Sequence, residues 1–90
     1  MTLPVTGHVE GTGETFTGDA TGYSDGGGTL RISSPKTSCA GQFVYITRRE
    51  GKGTFTCQDG RSGPFEFVST GTRGTGTGDF GGKRFIFTFG

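Results

Sequence analysis

Short runs in which apolar and polar residues alternate, or in which apolar residues predominate, cover most of the chain and are separated by Gly, Asp and Pro. Successive side chains of a strand point to opposite faces, so a period of two predicts half-buried β-strands. The runs predict eight short strands, at Val5–Glu10, Thr15–Tyr23, Thr29–Ser33, Gln42–Arg48, Thr54–Gln58, Pro64–Ser69, Thr72–Phe80 and Lys83–Phe89.

The separators have the residue types of tight hairpin loops. Gly and Asp adopt the left-handed backbone conformation at low cost, and they are prominent in Asp25–Gly28, Glu50–Gly53, Asp59–Gly63 and Gly81–Gly82. Hairpins in succession form an antiparallel meander. We therefore predict one all-β domain over residues 1–90, either a small antiparallel barrel or a two-layer β-roll, because both arrangements hide the strand edges.

Composition shows what the core must be made of. Gly supplies 20 of the 90 residues, nine Phe and two Tyr supply all the aromatic rings, and the apolar fraction is only 28%. Phe and Thr favour strands, and a chain of this length buries a small core. Folding therefore has to rely on the large Phe rings.

Charge and reactive side chains exclude several classes of function. The net charge of +1 provides no global field to attract polyanions or membrane surfaces. The lone His8 has no Ser or Cys in a recognisable nucleophile context. No apolar run approaches the ~18 residues of a membrane helix. We predict a protein that is not an enzyme, uses no cofactor or metal ion, and has no membrane span.

Cys39 and Cys57 are eighteen positions apart, with no further ligand at metal-binding spacing around them. A disulfide closing this loop would contribute roughly 3 kcal/mol. The alternative is a pair of small buried thiols on neighbouring strands. The disulfide is favoured, and with it a periplasmic or envelope location, after removal of a signal, over a cytoplasmic one.

One predicted strand lacks a polar face. In the segment Phe43–Ile46, Phe43 and Tyr45 point to one side while Val44 and Ile46 point to the other. A small single-core domain buries only one face of a strand, so the other must be covered by a partner, a second copy or a loop such as Met1–Pro4. Phe85–Phe89 has the same character less completely, with three Phe on one side.

The leading hypothesis is therefore a non-enzymatic binding or structural protein that acts through this strand on a protein partner or on itself. Its contact residues would be Phe43, Val44, Tyr45 and Ile46, with Arg48, Arg49 and Arg61 as a polar rim.

The sequence leaves two alternative functions open. Aromatic residues flanked by cations, here Arg48, Arg49, Lys52 and Arg61, are typical of single-stranded nucleic-acid-binding β-barrels. Thr-x-Thr pairs, as at Thr15 and Thr17 or Thr54 and Thr56, resemble the ranks of Thr-rich ice-binding proteins. The simpler interpretation of these pairs is the outward face of ordinary half-buried strands.

A Gly-x-Gly motif recurs every 25 residues, at 26–28, 51–53 and 76–78, and predicts a repeated hairpin unit. The central unit, residues 51–65, resembles a MORN-type hairpin: a Gly-x-Gly strand start, an Asp-Gly turn and an aromatic return strand. The other two copies lack the turn and the return at matching positions, so the family's attachment roles are not carried over. The whole chain is similar in texture to short Gly/Thr-rich bacterial proteins, a resemblance that implies no activity.

Overall fold

The computed structural model describes residues 1–90 as eight strands joined by short loops, with no helix. The strands are β1 (Thr2–Val9), β2 (Thr15–Gly22), β3 (Gly27–Ser33), β4 (Ser38–Tyr45), β5 (Glu50–Cys57), β6 (Ser62–Thr70), β7 (Arg73–Phe80) and β8 (Lys83–Phe89). Each strand pairs antiparallel with the next, and β8 pairs with β1 to close a barrel. This confirms the predicted eight-stranded all-β fold and selects the barrel over the roll.

Several strands begin earlier than the pattern predicted, because glycines assigned to turns belong to strands. β5 begins at Glu50 rather than Thr54, so Gly51 and Gly53 are strand residues. Their side-chain positions face the barrel interior, where Phe67 and Phe65 of β6 lie directly opposite. A Cβ atom on Gly53 would lie 2.8 Å from the Cζ atom of Phe65, and one on Gly51 would overlap the ring of Phe67.

The same arrangement recurs around the barrel. Phe43 lies over Gly28, and Phe87 and Phe89 lie over Gly76 and Gly74. A ring from one strand therefore fills the space above a glycine on its neighbour, which lets nine Phe fit inside a narrow barrel. The interior of the barrel therefore alternates between Phe rings and glycine backbone.

Chain direction gives the barrel two different ends. The closed end carries the loops 10–14, 34–37, 58–61 and 81–82; the open end carries the loops 23–26, 46–49 and 71–72. The least exposed large side chains, Phe16, Phe55, Phe80 and Phe85, pack together towards the closed end. The open end is packed less completely.

Candidate functional site

An apolar cavity of about 60 Å³ opens at the open end of the barrel. Carbon atoms dominate its walls, so the cavity offers hydrophobic contact and almost no hydrogen bonding. Its lining residues are Met1, Leu3, Val5, Ala20, Gly22, Leu30, Phe43, Tyr45, Phe65, Phe67, Phe87 and Phe89.

The cavity arises because β2 loses bulk along its inward face. Phe16 fills the closed end, whereas Ala20 and Gly22 leave the opposite end of the strand almost bare. A Cβ atom on Gly22 would meet nothing within 4 Å, unlike one on Gly28, which would overlap the ring of Phe43. The space beside Gly22 is therefore not filled by the protein itself.

Tyr45 forms part of the lip of this cavity. Its ring lies 5.3 Å from that of Phe67 and 6.2 Å from that of Phe43, both edge-on, while 40% of the residue is exposed. Tyrosine suits a boundary between apolar interior and water, since its ring is apolar and its hydroxyl is polar. A molecule entering the cavity would pass this side chain.

The predicted contact strand is divided between the interior and the exterior. The alternation of its side chains is confirmed, but Phe43 is only 9% exposed and belongs to the cavity wall, whereas Val44 and Ile46 are 54% and 60% exposed on the outer surface. The prediction that these four residues form one contact surface is corrected accordingly. The suggested cover does not exist either, because Met1–Pro4 is not laid over Val44 and Ile46; most of it belongs to β1.

The predicted polar rim also is not formed. Arg48 and Arg49 lie in the loop between β4 and β5 at the open end, whereas Arg61 lies at the closed end. Consecutive hairpin loops of a meander fall at opposite ends of the strands, so the three arginines could not share a rim. With Phe43 buried as well, the cationic, aromatic surface required for nucleic-acid binding is not assembled.

Arg61 instead closes the other end of the barrel. Its guanidinium donates two hydrogen bonds of 2.8 Å to the carboxylate of Glu14 and one of 2.8 Å, from Nε, to Asp59. The guanidinium lies 4.4 Å from the ring centroid of Phe80, at cation–π distance. Ser34 donates a further hydrogen bond to Glu14. This closed-end network joins three loops of that end over the aromatic core.

The bidentate hydrogen bonds from Arg61 lower the pKa of Glu14 from 4.5 to about 2, against the opposing effect of burial. The Glu14 side chain is only 8% exposed, so its charge depends on the arginine. Glu14 in turn raises the pKa of Arg61 further above its usual range. The pair therefore joins the loops of the closed end through a largely buried charge.

The predicted disulfide is confirmed: Cys39 of β4 and Cys57 of β5 are bonded near the closed end. They face each other as a non-hydrogen-bonded pair, since the neighbouring ladder bond runs from the amide of Gln58 to the carbonyl of Ser38. Side chains are closest at such positions. Both sulfurs are buried beside the aromatic core.

Other candidate groups from the sequence lie apart from one another on the outer surface. His8 is exposed on β1, and no group of three or more His, Cys, Asp or Glu side chains could hold a metal ion. The Thr-x-Thr pairs Thr15 and Thr17, and Thr54 and Thr56, face outwards on a curved wall. The structure contains no helix that could span a membrane.

Comparison with known proteins supports the architecture. No protein-family model matches the chain, and no curated protein does. Among solved structures, a redesigned β-barrel, mFAP1, bound to DFHBI has a TM-score of 0.77 at 16% identity, covering 98% of this chain and 90% of that one. A de novo designed fluorescence-activating β-barrel has a TM-score of 0.72 at 12% identity, covering 98% and 88%. At these identities the likeness is one of fold.

The sequence pattern did not reveal the cavity, although it contained the signal. The inward positions of β2 are Phe16, Gly18, Ala20 and Gly22, so the only large inward side chain of this strand lies at the closed end. The inward positions of β8 are all Phe, and β6 carries Phe65 and Phe67 between Gly63 and Ser69. Ala20 and Gly22 share the cavity with Phe rings of β6 and β8, which are not neighbours of β2 in the sheet, so only closure of the barrel brings them together.

Proposed function

We propose that this protein is a non-enzymatic binding barrel that takes a small apolar ligand, or one apolar arm of a larger ligand, into its open end. The observation that carries the proposal is a solvent-accessible cavity walled by aromatic and aliphatic side chains, beside a glycine that leaves space unfilled. Concave apolar sites of this kind are the usual ligand sites of small barrels.

The size of the cavity limits what it can take. At about 60 Å³ it is far smaller than the ~300–1,000 Å³ of sites that enclose whole drug-sized ligands. A slim alkyl chain or one small ring can enter end-on while the rest of the molecule stays at the lip. Burial at about 0.8 kcal/mol per CH₂ group would supply the affinity.

The comparisons support this proposal at the level of fold. The redesigned β-barrel mFAP1, which has a similar fold, is bound to DFHBI. The residues that line the cavity here are those of this chain alone, so the ligand proposed for it follows from their chemistry.

Leucine methyl groups provide a direct test, because the chain has only two leucines, Leu3 and Leu30, and both line the cavity. We expect straight-chain aliphatic alcohols to shift the ¹³C-methyl signals of both in NMR titrations. Gly22→Ile should weaken this binding at least roughly tenfold by filling the cavity. The matched control, Gly22→Ala, adds one methyl group in open space and should change the affinity much less.

The proposal fails if the leucine methyl signals do not move up to the solubility limit of the alcohols. It also fails if Gly22→Ile binds as well as the unmodified chain while keeping the same fold, as judged by its amide spectrum.

A second candidate function keeps the prediction that the strand segment Phe43–Ile46 contacts a protein. The outward side chains of Val44, Ile46 and Val68 are more than half exposed, and Ile46 and Val68 border a shallow groove with Ile86. Exposed aliphatic groups that lie together favour association with a partner or with a second copy. We expect self-association in analytical ultracentrifugation that an Ile46→Thr/Val68→Thr variant removes; a chain that stays monomeric at the highest soluble concentration contradicts self-association.

A further inference from the structure

The outer face of β2–β5 carries a groove on the other side of the barrel wall from the cavity. Two adjacent rows of side chains cross these strands, and neighbours within each row are direct cross-strand partners. The first row is Asp19, Arg31, Ala40 and Thr56, and the second is Thr21, Thr29, Gln42 and Thr54. All of these residues except Ala40 carry a hydrogen-bonding side chain.

The surface is concave because small residues lie between long ones. Ala40 lies between Arg31 and Thr56, and Tyr23 stands at the margin opposite Gly27, which has no side chain. The resulting shallow groove has a volume of about 640 Å³ and is open to solvent. A similar groove of about 660 Å³ lies on the other side of Tyr23.

Tyr23 presents its ring to solvent between the two grooves. It is 55% exposed, and it lines both grooves together with Thr29, Gln42 and Thr54. It forms none of the aromatic pairs that hold the interior together; those involve Tyr45 and the Phe rings. The ring is therefore not required for the core.

The polar side chains of the groove have unused hydrogen-bonding capacity. Asp19 and Arg31 face each other across β2 and β3 without an ion pair, since both ion pairs of the molecule belong to Arg61. The side-chain amide of Gln42 likewise makes no hydrogen bond to the rest of the chain. One carboxylate, one guanidinium and one amide are thus available beside several hydroxyl groups, with no net charge.

We propose that this groove binds a neutral carbohydrate. A sugar ring has an apolar face of C–H groups, which packs on an exposed aromatic ring, and a periphery of hydroxyl groups that each donate and accept hydrogen bonds. Planar carboxylate, guanidinium and amide groups satisfy such hydroxyls in pairs, and Tyr23 supplies the ring.

The charge and polarity of the groove favour a neutral sugar over other ligands. A phosphate-bearing ligand would favour a net positive surface, whereas the charges of Asp19 and Arg31 cancel. A protein interface would need a larger apolar centre than one tyrosine. A polyhydroxylated ligand matches both the balance of charge and the density of hydrogen-bonding groups.

The test is a titration with gluco-, malto-, xylo- and chito-oligosaccharides, each followed by amide NMR. We expect at least one to shift the amides of Thr29, Gln42 and Thr54 at millimolar concentration or below. Tyr23→Ala should weaken that binding about tenfold, whereas Tyr23→Phe, which keeps the ring, should weaken it far less. His8→Ala, on the exposed surface of β1, is the matched control and should leave the affinity unchanged.

Gly22→Ile distinguishes this site from the cavity, because it fills the open end and leaves the outer face intact. Sugar binding should persist in that variant. The carbohydrate assignment is overturned if no oligosaccharide of the panel shifts these amides at millimolar concentration, or if Tyr23→Ala binds the sugar as tightly as the unmodified chain. Preferential binding of sulfated or phosphorylated sugars would overturn its neutrality.

Discussion

Arg61→Ala is expected to lower the free energy of unfolding by about 3 kcal/mol, the low end of the cost of breaking a buried ion pair, because a quarter of the Arg61 side chain is exposed. The variant leaves Glu14 charged, nearly inaccessible to water and without its two strongest hydrogen bonds. It also removes the cation from the ring of Phe80. Urea denaturation at neutral pH measures the change.

The control is the double variant Arg61→Ala/Glu14→Gln. A neutral amide costs less to leave without its partner than a carboxylate, so the double variant should recover part of the lost stability. If it is no more stable than Arg61→Ala, the loss comes from packing of the arginine side chain, and the assignment to an unpaired charge is wrong.

The dependence of stability on pH tests the Glu14–Arg61 ion pair in a second way. The pKa of Glu14 is lowered from 4.5 to about 2, so the stabilisation it provides is fully present above pH 4.5 and is lost as the pH falls through 2. The difference corresponds to about 3 kcal/mol. In Arg61→Ala the acidic conditions neutralise an unpaired buried carboxylate, so the gap in stability between the two proteins should narrow from pH 5 to pH 2.

The number of strands and their connection by hairpins could be predicted from the sequence because both depend on local chemistry, whereas the strand order around the closed barrel could not. Left-handed glycines at Gly26, Gly60 and Gly81 occur in turns, as the separators indicated. Gly51 and Gly76 are glycine for a different reason. Each lies in a strand, where the absence of a side chain leaves room for a ring from the neighbouring strand. Assigning these glycines to strands requires the register between neighbouring strands, and the sequence of one strand does not determine that register.

The role of Arg61 could not be predicted for a related reason. At a hairpin tip, an arginine is ordinarily a solvated residue. Glu14 is 47 positions away in the chain, and only closure of the barrel brings the two side chains together. Ala20 and Gly22 similarly became evidence for a cavity only once β2 was placed near the Phe-rich strands. Local alternation thus predicts the strands, while contacts across the closed barrel determine the site.

Removing the disulfide is expected to lower the free energy of unfolding by about 3 kcal/mol, because the bond closes a loop of 18 residues in the unfolded chain. A domain of this size has a total stability of only ~5–15 kcal/mol, so the loss is a large fraction. Urea denaturation of the oxidised and the fully reduced protein measures it without a substitution. Comparison with Cys39→Ala/Cys57→Ala then separates the bond from the packing of the two sulfurs. Equal midpoints for the oxidised and reduced proteins would contradict the prediction.

The disulfide lies at the end of the barrel opposite the cavity, so reducing it tests whether the two ends are independent. Cys39 and Cys57 lie near the same end as the closed-end network, and the opposite end contains the cavity. A site that admits ligand cannot be packed as tightly as a core, so stability has to come from elsewhere in the barrel. Reduction should therefore lower hydrogen-exchange protection throughout the barrel, by lowering global stability, while the affinity of the reduced but folded protein for aliphatic alcohols stays within about twofold. A cavity that loses its ligand on reduction would show that the two ends are not independent.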